Sequence, residues 1–538
     1  MTKGHSYMGY WGGVLILIAL FMVLQIQTLD YGTRINDQPH IRNYQSTAKV
    51  LDESVSTRNT VVGESKTRMH ESLDRWMLRY KLYSIEADEM VNIMALSRIK
   101  PGDLQFDPGF YQYGGAWLYP LGVWYYGLAK GGGVPLASLQ ELLIEPDKMD
   151  TIYFFGRLLV LITVSASALL LFAALKELTS PAAALFLTAV YLSTPALVGY
   201  SQIMKPHFYG LLWANAALLF IIQAVKRNNF PPMRQFLLGA ALGLAVGSSP
   251  PFGLLAVFIW IVMLNRVFKA AFSWRVLFSV PLVAVVFWVL SNPYFFLNRG
   301  AAAEEASVLG SWFKVGFGGD VIAAFLKNSL LPGFGVGLSL TVLSAMLFSV
   351  FRRENAAQIF ISAALVFVVV VVASITSGWM SHWHTNFRYA TYLLPGMIIL
   401  VALSPFSRSR VLLGALLVIT VAQAVPMKLA YYDENDPSHS TRLLAMNWLH
   451  ENLQKDEVIC FGTETPAPYD VPPIDFTRYQ ISEAGCQYKI IVEREKLGRV
   501  PWGRWALVKR FAPRYSPPSF PLVFEHINPQ ISVYRRNG

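Results

Sequence analysis

Asp88 and Glu89 are adjacent carboxylates at the start of a stretch with apolar helical spacing at Met90, Ile93, Met94 and Leu96. Two readings of the pair stand. Acids at a helix start favour the positive end of the helix dipole and need no further role. The same pair lies between aromatic segments that hug a membrane surface, where a lipid-linked substrate would enter. His382 and His384 have the i, i+2 spacing of a metal pair, but no third ligand accompanies them, so no metal site is expected there. Cys460 and Cys486 are the only cysteines, too few for a disulfide framework or a thiolate metal site. They form either one disulfide or two small buried hydrophobes. Gly131-Gly132-Gly133 reads as a flexible turn, and no phosphate-cradling glycine-rich loop, internal repeat or low-complexity tract stands out.

The elements that must position these residues are set by composition. The 538 residues are 54% hydrophobic and 15% charged, against about 25% charged in a soluble domain. Mean hydropathy is +0.39. A soluble core could not hide so many apolar side chains. Disorder, collagen, coiled coil and a secreted disulfide scaffold are excluded, and the fold class is a polytopic α-helical membrane protein. The net charge of +11 is explained by cytoplasmic loops and anionic headgroups, without nucleic acid.

Val14–Leu24 reads as an uncleaved first helix, because Gln25-Ile26-Gln27-Thr28 is no small-residue cleavage site. Further apolar runs lie near Ile152–Leu175, Ala182–Val198, Phe208–Val225, Phe236–Val246, Phe252–Leu264, Val276–Phe295, Leu330–Phe351, Gln358–Ser374, Tyr389–Leu403 and Val411–Ala430. The total is about 11 spans, most near the roughly 20 residues that a bilayer requires. The break at Gly247-Ser248-Ser249-Pro250-Pro251 reads as a broken or tilted hairpin. With the amino terminus inside, the inner loops hold Lys176; Lys226, Arg227 and Arg234; Arg266, Lys269 and Arg275; Arg352 and Arg353; Arg408 and Arg410. That is the positive-inside pattern, and it puts the carboxyl terminus outside. Ala116–Leu128 would invert this pattern if it crossed, so its Trp and Tyr residues are assigned to the outer interface. Residues 1–430 then form a transmembrane module with a long outer first loop, 30–151. Residues 431–538 form a small extracytoplasmic α/β domain, with a helix near Ser440–Leu453 and strands near Glu457–Phe461 and Lys489–Val492. Both cysteines fall in that outer domain, where oxidation is permitted.

The order of motifs resembles a known family. Asp30-Tyr31-Gly32, Asp88-Glu89, Gly102-Asp103-Leu104 and the aromatic Phe110-Tyr111-Gln112-Tyr113 are similar to family 39 of the GT-C superfamily. These are integral membrane glycosyltransferases, among them protein O-mannosyltransferases and the lipid A aminoarabinose transferase. Gly156-Arg157-Leu158, Ser201 to His207, Ser291-Asn292-Pro293-Tyr294, Phe387 to Pro395 and Trp448 to Asn452 extend the likeness over most of the chain. Two features depart from it. The stretch from His40 to Leu82 lengthens the first loop, and His207 stands where the family carries Asp.

The resemblance implies transfer of a sugar from a polyprenyl-phosphate donor to a hydroxyl of protein, lipid or glycan on the outer face, with inversion. It implies Asp88 as the base and Glu89 as a residue that positions it or binds sugar hydroxyls. Arg388, Lys205 and His207 would bind the departing phosphate, and Asp30 and Asp37 are further substrate-binding candidates. Each has a plainer alternative. Arg388 and Lys205 suit interfacial anchors, His207 a capping residue, Asp30 and Asp37 a solvated loop, and Arg157 a structural partner of loop carboxylates. No cofactor is implied, and a divalent cation stays open. The implied setting is the cell envelope, in a bacterial or archaeal cytoplasmic membrane, with membrane lipids as partners. A transporter, a glycan ligase or polymerase, and an envelope-assembly scaffold are the competing readings. Few ionisable residues inside spans and no internal repeat speak against a transporter.

Overall fold

The computed structural model describes residues 3–33, 37–44, 77, 80–86, 88–135, 137, 139–312, 318–352, 362, 365–367, 369–371, 391–461, 471–482, 484–493, 504–515 and 527–537. Arg388, His382 and His384 lie outside them, as does most of the expected span Gln358–Ser374.

The chain is mostly helical, with a small C-terminal sheet. Among the described residues, five helices are long and apolar enough to cross a membrane: Gly9–Ile26, Asp147–Leu178, Pro206–Arg227, Pro250–Phe268 and Arg410–Asn435. Shorter apolar helices are Pro181–Leu192, Val276–Ser291, Val336–Phe348 and Leu393–Leu403. Three expected spans are interrupted: Leu330–Phe351 at Gly335, between Leu331–Phe334 and Val336–Arg352, and two others at proline. Ala182–Val198 appears as Pro181–Leu192 and Pro195–Tyr200. Val276–Phe295 stops being helical at Ser291 and resumes as Pro293–Leu297. Proline has no amide hydrogen and disfavours helical backbone at the residue before it, although Pro281 and Pro426 lie inside unbroken helices. Thr194 is accordingly extended, and Asn292 leaves the helical region.

The chain divides into two compact units. The first comprises Met1–Ile26, Asp107–Val123 and Leu158–Val425; the second comprises Gln27–Phe106, Trp124–Arg157 and Pro426–Gly538. In the first unit, Pro232–Ser248 packs on Val276–Ser291 and on Pro206–Arg227. Its glycines recur every fourth residue at Gly239, Gly243 and Gly247. A Cβ at Gly243 would stand 2.3 Å from the Ala284 carbonyl oxygen, and one at Gly239 would stand 2.7 Å from Val283 Cβ. Small residues at this spacing let two helix backbones approach closely, which matters where lipid supplies no hydrophobic drive. Apolar side chains at Leu15, Ile16, Leu20, Val23 and Leu24 are exposed on the first helix, a surface that suits hydrocarbon.

The second unit contains a five-stranded sheet. Its strands are β1 (Val458–Phe461), β2 (Gln480–Ile481), β3 (Tyr488–Glu493), β4 (Trp505–Phe511) and β5 (Gln530–Arg536), in the order β2-β1-β3-β5-β4. β1 runs parallel to β2 and β3, and β5 is antiparallel to β3 and β4. Ile459, Ile490, Ile531, Val533 and Phe511 form one core with Leu443, Met446 and Leu449 of the Thr441–Asn452 helix. Met77, Tyr80 and Ile41 from the first loop join the same core. Cys460 and Cys486 form a disulfide, with Cα atoms 5.6 Å apart.

His450 lies where the first loop meets this domain. Its Nε2 accepts from the Asp475 amide at 3.0 Å, and its ring meets His40 at 5.3 Å. Burial, then His40 and Arg478, hold its pKa below the ordinary value, while Asp475 opposes them. The unfolded chain therefore takes up a proton more readily than the folded one. The stability His450 contributes is present above the unfolded value of about 6.5 and is lost as pH falls through the lower folded value. Acidification is expected to lower the unfolding temperature, and less so in His450→Gln. Because the ring is half-exposed, the difference should amount to about 1 kcal/mol or less. Thermal scans of both proteins across the pH range check this, and equal pH dependence would count against it.

Candidate active site

The second unit brings together two segments of the first loop that are far apart in sequence, Asp30-Tyr31-Gly32 and Asp88-Glu89. The residue that joins them is Arg157. Its Nη1 donates to the carbonyl oxygens of Leu29 at 2.7 Å and Tyr31 at 3.0 Å. Its Nε and Nη2 donate to Glu89 Oε1 at 3.0 Å and Oε2 at 2.7 Å. Arg157 and Glu89 are both fully buried. Ser84 Oγ adds a bond to Glu89 Oε2 at 2.6 Å, and the guanidinium lies 3.9 Å from the centre of the Tyr31 ring. Two buried charges are tolerated only when paired and fully bonded. Here a planar fork meets a carboxylate on one side and two carbonyls on the other, a geometry lysine could not match.

Asn435 fastens the other side of the Asp-Tyr-Gly segment. Its Nδ2 donates to Asp30 Oδ1 at 2.9 Å, and its Oδ1 accepts from the Gly32 amide at 2.8 Å. Gly32 has φ +76°, and a Cβ there would stand 2.4 Å from Ile85 Cδ1. Glycine is required on both counts. Lys428 donates to Thr28 Oγ1, close before this turn.

Asp88 opens the ten-residue helix Asp88–Ser97 and is half-buried, whereas Glu89 beside it is fully buried. Successive helical residues point about 100° apart, so adjacent acids face different surroundings. Asp88 keeps access to water at the helix start.

A second group of carboxylates lies in the same unit. Oxygens of Asp37, Asp147 and Asp150 come within 4.8 Å of one another. Arg42 pairs with Asp147, and Asp150 Oδ1 is buried without a hydrogen-bond partner. Three carboxylates form a hard-oxygen donor set of the kind that suits Mg²⁺, Mn²⁺ or Ca²⁺. These three residues fit a divalent cation.

In the first unit, Lys205 precedes the Pro206–Arg227 helix, and His207 is its second residue; both are buried. The Tyr113 ring meets His207 edge-on at 6.2 Å, and Trp117 lies 5.2 Å from Tyr209. The loop that carries Tyr113 is pinned from two directions. Glu305 accepts from the amides of Tyr111 at 2.9 Å and Gln112 at 3.0 Å, and Asp107 accepts from Tyr111 Oη and Asn298 Nδ2 at 2.9 Å each. On the other side, the Gly115 amide donates to Asn292 Oδ1 at 2.7 Å. A Cβ at Gly114 would stand 1.5 Å from the Gly247 carbonyl oxygen, so the loop can sit there only with glycine. The Asn-Pro-Tyr segment and the Gly247–Pro251 break thus have one common role, seating the aromatic loop.

No family model matches the sequence, and a search of the curated proteins finds no match. Among solved structures, the chain is similar to an Archaeoglobus fulgidus oligosaccharyltransferase tethered with an acceptor peptide, at 13% identity and TM-score 0.39, over 88% of this chain and 64% of that one. It is similar to AglB from the same organism, in complex with an inhibitory peptide and a dolichol-phosphate, at 12% identity and TM-score 0.38, over 90% of this chain and 70% of that one. A third likeness is to the arabinofuranosyltransferase AftD from Mycobacteria, at 12% identity and TM-score 0.38, over 91% of this chain and 42% of that one. The chain therefore spans less than two thirds of the length of the first of these and less than half of AftD. Likeness at this level decides no residue and no reaction.

The candidate residues thus fall into separate groups. Asp30, Asp88 and Glu89 share the frame built by Arg157 and Asn435, Asp37 joins Asp147 and Asp150, Lys205 and His207 belong to the first unit, and Arg388 lies outside the described residues. Sequence reasoning missed Asn435, Ser84 and the Asp37, Asp147 and Asp150 group. The i, i+3 acids Asp147 and Asp150 at the start of a long apolar helix were the available signal for that group.

Proposed function

We propose that this protein is a GT-C-type glycosyltransferase that moves a sugar from a polyprenyl-phosphate carrier to a hydroxyl acceptor on the outer membrane face. The acceptor oxygen attacks the anomeric carbon, the bond to phosphate breaks with inversion, and Asp88 takes the hydroxyl proton. Lys205, His207 and Arg388 are assigned to the negative charge that grows on the departing lipid phosphate. Glu89, being tied to Arg157, is assigned to fixing the helix that carries Asp88. Asp30 is assigned to binding substrate hydroxyls beside it, and Asp37, with Asp147 and Asp150, to a divalent cation where one is used.

The observation that carries the reading is the Arg157 frame. It joins two acidic segments of one outer loop into a single buried construction, held by four hydrogen bonds from Arg157, and leaves Asp88 half-open beside it. A loop that only linked two spans would need no such frame. The test is an assay with the purified full chain and a radiolabelled sugar on polyprenyl phosphate, alongside substrate flux across sealed vesicles. Label in a hydroxyl acceptor without flux supports the reading. Flux without transfer would make the protein a transporter.

The same reading places the amino terminus inside and the carboxyl terminus outside, with Ala116–Leu128 along the outer interface. The Cys460–Cys486 disulfide accords with an oxidising side. A reporter fused after Gly538 is expected to be active only on the non-cytoplasmic face. Activity in the cytoplasm would undo the placement of the first loop as well.

A further inference from the structure

The outermost ribbon of the C-terminal sheet carries a charge that sugar transfer does not use. β4 is an edge strand, paired with β5 from Trp505↔Arg536 to Phe511↔Ile531. Neither strand holds an Asp or Glu. Arg504, Lys509, Arg510, Arg535 and Arg536 are all exposed on or beside it. Leu507 and Val508 are 47% and 43% exposed between them. Along residues 494–514 the sequence has seven Lys or Arg and one Glu, together with Trp502 and Trp505. A lysine and a bulge are ordinary protection for an edge strand. They do not call for four arginines around exposed Leu507 and Val508.

The ribbon is also tethered at one end. Arg514, three residues past β4, donates through Nη2 to Asp433 Oδ1 at 2.7 Å and through Nε to Oδ2 at 3.2 Å. The Asn528 amide, two residues before β5, donates to Glu434, which Arg442 binds at 2.7 Å. Asp433 and Glu434 lie in the last turn of the apolar helix Arg410–Asn435. The Phe511/Ile531 end of the ribbon is therefore fixed where that helix leaves its apolar stretch. At about 3.3 Å per residue, Arg510 lies within about 13 Å of chain from Arg514. The charge-bearing headgroup layer and the screening length beyond it, about 8 Å, cover a comparable distance.

We propose that the β4–β5 ribbon is a membrane-surface contact that binds the anionic headgroups of the bilayer in which the protein sits. Lys509 and Arg510 meet headgroup phosphates nearest the helix exit, Leu507 and Val508 enter the interface between them, and Arg535 and Arg536 extend the contact. The proposal rests on the Arg410–Asn435 helix crossing the membrane. It makes no use of sugar transfer, so an inactive enzyme would leave it standing.

The test uses the full chain in lipid nanodiscs, with an environment-sensitive fluorophore on Leu507→Cys; both native cysteines are held in the disulfide. The discs contain phosphatidylcholine alone or mixed with phosphatidylglycerol, with a spin label at headgroup depth. Quenching is expected to be at least about twofold stronger in the phosphatidylglycerol discs, and to fall when salt shortens the screening length. Lys509→Glu with Arg510→Glu should abolish the difference, and Arg535→Gln with Arg536→Gln should reduce it. Thermal unfolding of each variant checks that the domain remains folded. Equal quenching in both kinds of disc, or none in either, would overturn the proposal. So would a water-exposed probe that responds only to a soluble acidic polymer such as polyglutamate, which would reassign the face to an acidic macromolecule.

Discussion

Arg157→Ala is expected to destabilise the second unit by about 3–5 kcal/mol, the usual cost of leaving one partner of a buried ion pair behind. Glu89 would remain fully buried without its counter-charge, and the carbonyls of Leu29 and Tyr31 would lose their donor. Arg157→Lys should recover little, because an ammonium cannot serve a carboxylate and two carbonyls in a planar fork. Replacing both charges, Arg157→Met with Glu89→Met, should be milder than Arg157→Ala alone, since no orphan charge is left. Thermal unfolding in detergent of the wild type, Arg157→Met, Glu89→Met and the double variant gives the coupling directly. Effects that simply add would mean that the pair does not act as a unit.

Much of the helical part was legible in the sequence, because a bilayer demands long apolar runs. Thr194-Pro195 and Asn292-Pro293 lie inside runs that read as continuous spans. Proline alone does not locate such breaks, because Pro281 and Pro426 lie inside unbroken helices. In the C-terminal domain, β1 and β3 are apolar enough to see, and the disulfide from Cys460 in β1 to Cys486, just before β3, was one of two open readings. β4 was not legible: Ala506 to Arg510 are all exposed, so the strand lacks the alternation of a half-buried edge. β2 is only two residues long.

The acidic pair was visible as a pair, but its division of labour was not. Which of two adjacent helical acids is buried depends on where Arg157 lies, and Arg157 is 68 positions along the chain from Glu89. Asp37 and Asp147 are separated by most of the outer loop, and only tertiary structure brings them together. Asn435 belongs to no motif that the sequence singles out. Its two bonds to the Asp-Tyr-Gly segment are a property of the fold and leave no local trace in the sequence.

Asp88→Asn keeps the shape of the side chain and removes its basicity. The loss of a general base is expected to slow turnover by about 10²–10⁴-fold, with donor binding nearly intact. A carboxylate can accept the proton, and asparagine in its place can only donate or accept a hydrogen bond. The direct measurement is sugar transfer from a polyprenyl-phosphate donor by Asp88→Asn, Asp30→Asn and Asp37→Asn, purified and assayed side by side, with donor affinity measured for each. The account predicts that Asp88→Asn loses turnover by that factor at unchanged donor affinity, while Asp30→Asn and Asp37→Asn act more through substrate binding. Near wild-type turnover in Asp88→Asn, with turnover abolished in Asp30→Asn or Asp37→Asn at unchanged affinity, would contradict it and move the base to the start of the loop.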